Sequence, residues 1–196
     1  MKSGLKKIAF GIIAVLVLAA ITYFLGPKPQ SFNAPNLSDT HLPAWFTDAS
    51  QIGEYLEKKD DGKKIRAGNY SQVIWADSVG KKTKYVMLYL HGFSASPEEG
   101  KPIHQGEALR YGMNMYAPRL AEMGLDEKEP MLNFTAEKFM ASAAEALKVA
   151  HLLGDTVILM STSTGCTAAL FLAAQKKGIH SLICYSPNIQ VFSSDI

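Results

Sequence analysis

The stretch TVILMSTSTGCTAALFLAA, residues 156–174, joins an apolar, β-branched run of strand length (156–160) to an Ala/Leu/Phe run with good helix propensity (167–174). Between them stands the pentad Ser161-Thr162-Ser163-Thr164-Gly165. A strand that turns at once into a helix bends sharply. Side chains two before and two after the apex then collide unless they are small. Ser161 and Gly165 meet that condition around Ser163, whereas Ser161 as apex would have Leu159 two residues before it. The pattern predicts Ser163 at the apex, as a candidate nucleophile. A plainer reading, small polar residues capping a helix after a strand, stays open on this stretch alone.

A second stretch decides between them. Residues 85–97, YVMLYLHGFSASP, are again a buried-type strand, here ending in His91-Gly92-Phe93 and a loop of small residues. Acyl transfer needs backbone N–H donors aimed at a developing oxyanion, and a glycine lets the chain approach the reacting group closely. A strand–HGF–loop about 70 residues before a strand–S-x-S-x-G–helix resembles the order in α/β-hydrolases. The run HGFSASPEE is similar to their serine esterase, lipase and aminopeptidase-like branches, and the likeness covers residues 72–187.

That resemblance implies roles position by position. Ser163 would attack a substrate carbonyl to form an acyl-enzyme, and the backbone N–H groups of Phe93 and Thr164 would hold the oxyanion. His91, Gly92, Ser161 and Gly165 would shape the loops, His91 by a hydrogen bond and not as a base. The substrate would be a small-molecule or lipid ester, with no cofactor. In this superfamily an acid and then a histidine follow the serine along the chain. After Ser163 come only His180, at the amino end of a strand, and Asp195. Neither suits the role. His41 falls in a linker, His104 enters a helix, and His151 lies near a helix C-terminus, where a cation suits the dipole. The chain reads as the N-terminal two-thirds of such a hydrolase, without a complete triad and with its last strand an open edge. Three readings stay open: an incomplete serine hydrolase, a non-catalytic binding protein on the same fold, and a hydrolase assembled from two polypeptides.

Around these motifs, strands are predicted at 72–76, 113–117 and 179–185. Helices are predicted at 46–58 (capped by Thr47 or Asp48) and 135–153 (capped by Thr135 and ended by Gly154), and residues 107–111 lie in a short one. Alternation of the two predicts an α/β domain at 46–196: a mostly parallel sheet with helices on both faces and ligands at the carboxyl ends of its strands.

Ahead of that domain, residues 8–27 carry no charge and are mostly apolar, enough to span a bilayer as a helix. Residues 1–28 read as a cytoplasmic stub and retained anchor. The competing reading is a cleaved signal peptide, but Ala19-Ala20 is followed by more apolar residues and not by a closing site. Lys2, Lys6 and Lys7 outnumber Lys28, which keeps the N-terminus cytoplasmic and places the domain outside the inner membrane. Residues 29–45, rich in Pro, Asn and Ser, read as a linker.

The basic balance comes from the same segment. Four of the 20 Lys/Arg precede residue 29, leaving 16 against 18 acidic residues, a net −2. Nucleic acid is not implied as a partner, and the 58–66 basic cluster, interleaved with Asp60 and Asp61, is a solvated surface. No Cys/His cluster has metal-ligand spacing, and no Walker loop or G-x-G-x-x-G is present. Cys166 and Cys184 fall on adjoining elements, either as a disulfide in an oxidising compartment or as two buried thiols.

Overall fold

A computed structural model describes residues 2–28, 40–175 and 178–189. It divides into two compact units, Met1–Asn33 and Ala34–Ile196. The first holds helix α1, Lys2–Leu25. Its segment Lys6–Leu25 is long and apolar enough to cross a membrane. The large apolar side chains along it, Ile8 and Phe10 through Phe24 and Leu25, are all exposed. Nothing in the helix itself selects one face for burial, which suits an apolar solvent on every side.

In the second unit a five-stranded sheet has the order β1-β3-β2-β4-β5. Its strands are β1 (Gln72–Ile74), β2 (Thr83–Leu90), β3 (Asn114–Ala117), β4 (Gly154–Thr162) and β5 (Ile179–Tyr185). β1 runs antiparallel to β3, and every other pair is parallel. Among the described residues β5 is an edge strand. The sheet is thus mostly parallel, as the alternation of strand and helix predicts.

The strand side chains alternate between two cores. Val86, Leu88 and Leu90 of β2 and Val157 and Leu159 of β4 face helices α4 (Ala136–Leu153) and α5 (Thr164–Gln175). Met87 and Tyr89 face the other way with Met115 and Met160, against Ala108 of α3 (Ile103–Arg110). Helices therefore cover both faces, but α3 leaves the far end of its side open. A cleft of about 480 Å³ runs there between Tyr111, just past the end of α3, and Ile158, Ile183 and Tyr185 of the sheet.

α4 is the central prop. Thr135 caps it by accepting from the Lys138 N–H at 3.2 Å, and Glu137 sits in its positive first turn. Phe139, Ala143, Ala146, Leu147, Ala150 and Leu153 are all buried. The chain passes through an extended Gly154 directly into β4, with no loop between.

Other boundaries move for identifiable reasons. The helix predicted at 46–58 begins later, as a 3-10 turn at Ala49–Gln51 leading into α2 (Ile52–Asp60). Asp48 is extended and forms a capping box, accepting from Ser50 N–H while the Gln51 side chain accepts from Asp48 N–H. The short helix expected around 107–111 is α3, which begins at Ile103, so that His104 enters it as expected. β1 stops at Ile74, and the Ala76 N–H turns to the Asn114 side chain at 3.0 Å. Residues 29–39 of the expected linker lie outside the described residues. Leu42 and Trp45, at its end, pack against the core.

Candidate active site

Register creates the site. β2 and β4 are parallel neighbours with Leu90 beside Ser161, so their carboxyl ends stop at one level. His91-Gly92 then leaves one strand where Thr162-Ser163 leaves the other.

Ser163 has φ +51°, in the left-handed region that non-glycine residues seldom occupy. This is the strained apex expected of a strand that becomes a helix within one residue. Three contacts hold it. Its N–H donates to the Tyr185 carbonyl (2.9 Å), and its own carbonyl accepts from Cys166 N–H (3.0 Å) and Asn188 N–H (3.2 Å). The bend brings α5 so close to β2 that a Cβ on Gly165 would lie 2.2 Å from the Leu90 carbonyl oxygen. Ser161, two residues before the apex, is fully buried, with its hydroxyl donating to Cys184 Sγ at 3.6 Å. The small-residue rule around Ser163 is therefore a packing fact.

The facing loop is equally tight. A Cβ on Gly92 would lie 3.2 Å from both Ser163 Cβ and Glu99 Oε1. Gly92 to Ala95 form a β-turn closed by the Ala95 N–H on the Gly92 carbonyl (3.3 Å), with Ser94 at φ +58°. Among the described residues, neither the Phe93 N–H nor the Thr164 N–H donates to a protein acceptor. Two backbone N–H groups, each on the residue after a member of the Gly92–Ser163 contact, are thus without an acceptor among the described residues. The Phe93 ring is exposed and meets Phe134 edge-on at 5.2 Å, making an aromatic ledge beside the elbow.

His91 is fully buried and bonded through both ring nitrogens. Nε2 accepts from Leu120 N–H (3.1 Å), which leaves Nδ1 to donate to the Gly92 carbonyl (2.9 Å). Burial pushes its pKa down to about 4. It is a neutral structural imidazole.

Glu99 belongs to the site although its sequence position gives no sign of it. A 3-10 turn at Pro97–Gly100 folds its carboxylate back, where Oε2 accepts from Gly92 N–H (2.8 Å) and Tyr89 OH (3.1 Å). The same tyrosine hydroxyl lies 3.0 Å from Thr162 Oγ1. A chain of hydrogen bonds, Gly92–Glu99–Tyr89–Thr162, joins the two motifs beneath their surface. Burial raises the Tyr89 pKa, so its hydroxyl stays protonated.

The remaining histidines stay away from Ser163. His104 is buried, accepting from Gln105 N–H and donating to the Pro97 carbonyl. His180 meets the Tyr85 ring at a tilt, with centroids 5.8 Å apart, near the start of β5. Beside Val157 and Ile158, it is five or six residues below the apex, roughly 16–20 Å away. His151 closes α4, but burial and then the nearby Lys82 push its pKa down, so the expected cation at that helix end is not formed at neutral pH. Asp195 lies outside the described residues. Among the described residues no histidine or carboxylate hydrogen-bonds the Ser163 hydroxyl, and no group of His, Cys, Asp and Glu could hold a metal ion.

The mostly parallel sheet with helices on both faces agrees with solved structures. A structure of the metagenome-derived lipolytic enzymes LipS and LipT superposes with a TM-score of 0.58 at 20% identity, over 67% of this chain and 51% of that one. The chain has the α/β-hydrolase fold. Other α/β-hydrolase-fold neighbours are MenH from S. aureus (17% identity, 63% and 44% coverage, TM-score 0.45) and the Pyrococcus furiosus esterase PF2001 (13%, 82% and 55%, 0.46). This α/β-hydrolase-fold chain spans about half the length of these structures. No family model matches the sequence, and no curated protein matches it.

Proposed function

We propose that this chain carries the nucleophile half of a membrane-anchored serine hydrolase acting on small-molecule or lipid esters. The observation that carries the reading is Ser163 at φ +51°, held against Gly92, with the N–H groups of Phe93 and Thr164 beside it lacking an acceptor among the described residues. In this mechanism the Ser163 hydroxyl attacks the ester carbonyl, whose oxygen gains negative charge and is held by those two N–H groups. The alcohol leaves and water later releases the acid. Phe93 and Phe134 offer an apolar surface to the acyl chain. The hydroxyl needs a base, which no described histidine supplies, so on this reading base and acid come from polypeptide outside the described residues. α1 would hold the protein in the cytoplasmic membrane, with the domain on the far side.

A second reading, a ligand-binding protein on the same fold, is favoured by one observation. The buried histidine nearest Ser163, His91, is locked in both its hydrogen bonds and turned away from proton transfer. A fluorophosphonate probe separates the two. The hydrolase reading expects labelling of Ser163 in native membranes, where the polypeptide that supplies the base is present, and loss of that labelling in Ser163→Ala. Labelling that survives in Ser163→Ala, or none in native membranes that contain the folded chain, overturns it and leaves the binding protein.

A further inference from the structure

Cys166 and Cys184 lie beneath the elbow. Cys166 is fully buried in the first turn of α5, and Cys184 is half-buried as the penultimate residue of β5. Ser161 of β4 pairs with Cys184 of β5, and Leu159 and Leu182 of the same strands pack into the core below α5. With side chains alternating along a strand, Cys184 faces that helix. Ser161 Oγ donates to Cys184 Sγ at 3.6 Å, and Cys166 Sγ donates to the carbonyl of Tyr185, the very next residue, at 3.4 Å. One thiol thus bonds the strand at Tyr185 and the other sits on the residue before it, on the face towards the helix, and both are free.

We propose that Cys166 and Cys184 form a dithiol site that closes to an intramolecular disulfide by exchange with a low-molecular-weight disulfide. Cys184 is the accessible partner. Its thiolate attacks one sulfur of the external disulfide and expels the first thiol. Cys166, losing its proton to solvent, attacks Cys184 Sγ and expels the second. Two electrons and both external sulfurs leave as two reduced thiols, so the exchange balances. Burial pushes the Cys166 thiol up, so Cys166 is the resolving and not the attacking partner. The bond would staple the first turn of α5 to the end of β5, where Tyr185 and Asn188 already hold the backbone of Ser163. The oxidising side of a membrane, where the domain is proposed to lie, is where such bonds persist. The site does not depend on Ser163 being a nucleophile.

The test treats the full chain in detergent with oxidised glutathione or with dithiothreitol, then denatures, alkylates and weighs it. The expected product has lost two hydrogens, accepts no alkylating agent and yields a peptide linking 166 to 184. It should melt higher than the reduced chain by on the order of 5–10 °C, since a loop of roughly 15–20 residues is closed. Cys166→Ser should trap a glutathione adduct on Cys184, whereas Cys184→Ser should leave the buried Cys166 unmodified. Two alkylatable thiols in the oxidised wild-type chain, a lasting glutathione adduct on it, a bond between two copies, or a lower melting temperature would each overturn the proposal.

Discussion

At the scale of single residues, two positions test how the elbow is built. Gly165 has no room for any side chain, because its Cβ would meet the Leu90 carbonyl at 2.2 Å and the His91 carbonyl at 2.7 Å. Those are backbone atoms at the centre of the sheet and cannot swing aside. Gly165→Ala should therefore cost about 3 kcal/mol or more in urea unfolding, at or beyond the upper end of overpacking effects. A loss under about 1 kcal/mol would mean α5 is not docked so tightly. His91 makes a pH prediction. Its folded pKa, about 4, lies below the ordinary 6.5, so between those values the unfolded chain binds the extra proton. Its contribution is fully present above pH 6.5 and is lost as pH falls toward 4, by roughly 3 kcal/mol in all. His104 and His151 are shifted the same way and add to the slope. The measurement is therefore the difference between wild type and His91→Gln. The variant should be the less pH-sensitive of the two in that window, and equal slopes would refute the buried neutral imidazole.

At the scale of elements, the two motif loops are coupled through Glu99. Its carboxylate is exposed on one side, so its two hydrogen bonds are worth less than buried ionic ones, about 1 kcal/mol together. Glu99→Gln keeps an acceptor for the Gly92 N–H, while Glu99→Ala removes it. The alanine variant should lose about 1 kcal/mol of stability and slow any labelling at Ser163, with glutamine closer to wild type; identical behaviour of the two would uncouple Glu99 from the loop. This network was not legible in the sequence, and the reason is physical. The elbow and the HG loop follow from steric rules acting within five residues, so Ser163, Gly165 and the strands beside them could be read directly. Glu99 reaches Gly92 only because a short 3-10 turn reverses the chain, and Tyr89 reaches Thr162 only through the β2–β4 register. The Asn188 clamp on the Ser163 carbonyl likewise joins residues brought together by β4–β5 pairing. One helix start moved: Asp48, one of the two caps read from the sequence, opens a 3-10 turn that delays α2 to Ile52.

At the scale of the whole molecule, the question is what the first unit does for the second. α1 exposes apolar side chains around its entire circumference and has no charge between Lys7 and Lys28. Burying such a surface in lipid is favourable at about 25 cal/mol per Å², so a retained helix of this length is effectively irreversible in a bilayer. A cleaved signal segment would give the opposite result, a chain lacking its first residues and free of the membrane. Carbonate extraction of membranes from expressing cells distinguishes them: the anchored form stays in the pellet at full mass, and deletion of residues 2–28 moves the domain to the supernatant. The expected orientation rests on the three lysines in the first turns of the helix, ahead of its uncharged stretch. Their excess should keep the N-terminus cytoplasmic, so an added protease in spheroplasts should digest the domain without lysis. Replacing Lys2, Lys6 and Lys7 with glutamine removes that bias and should raise the protected fraction. A domain that is protected in the wild type and cleaved only after lysis would place it on the cytoplasmic side, and would also remove the oxidising surroundings in which Cys166 and Cys184 are expected to pair.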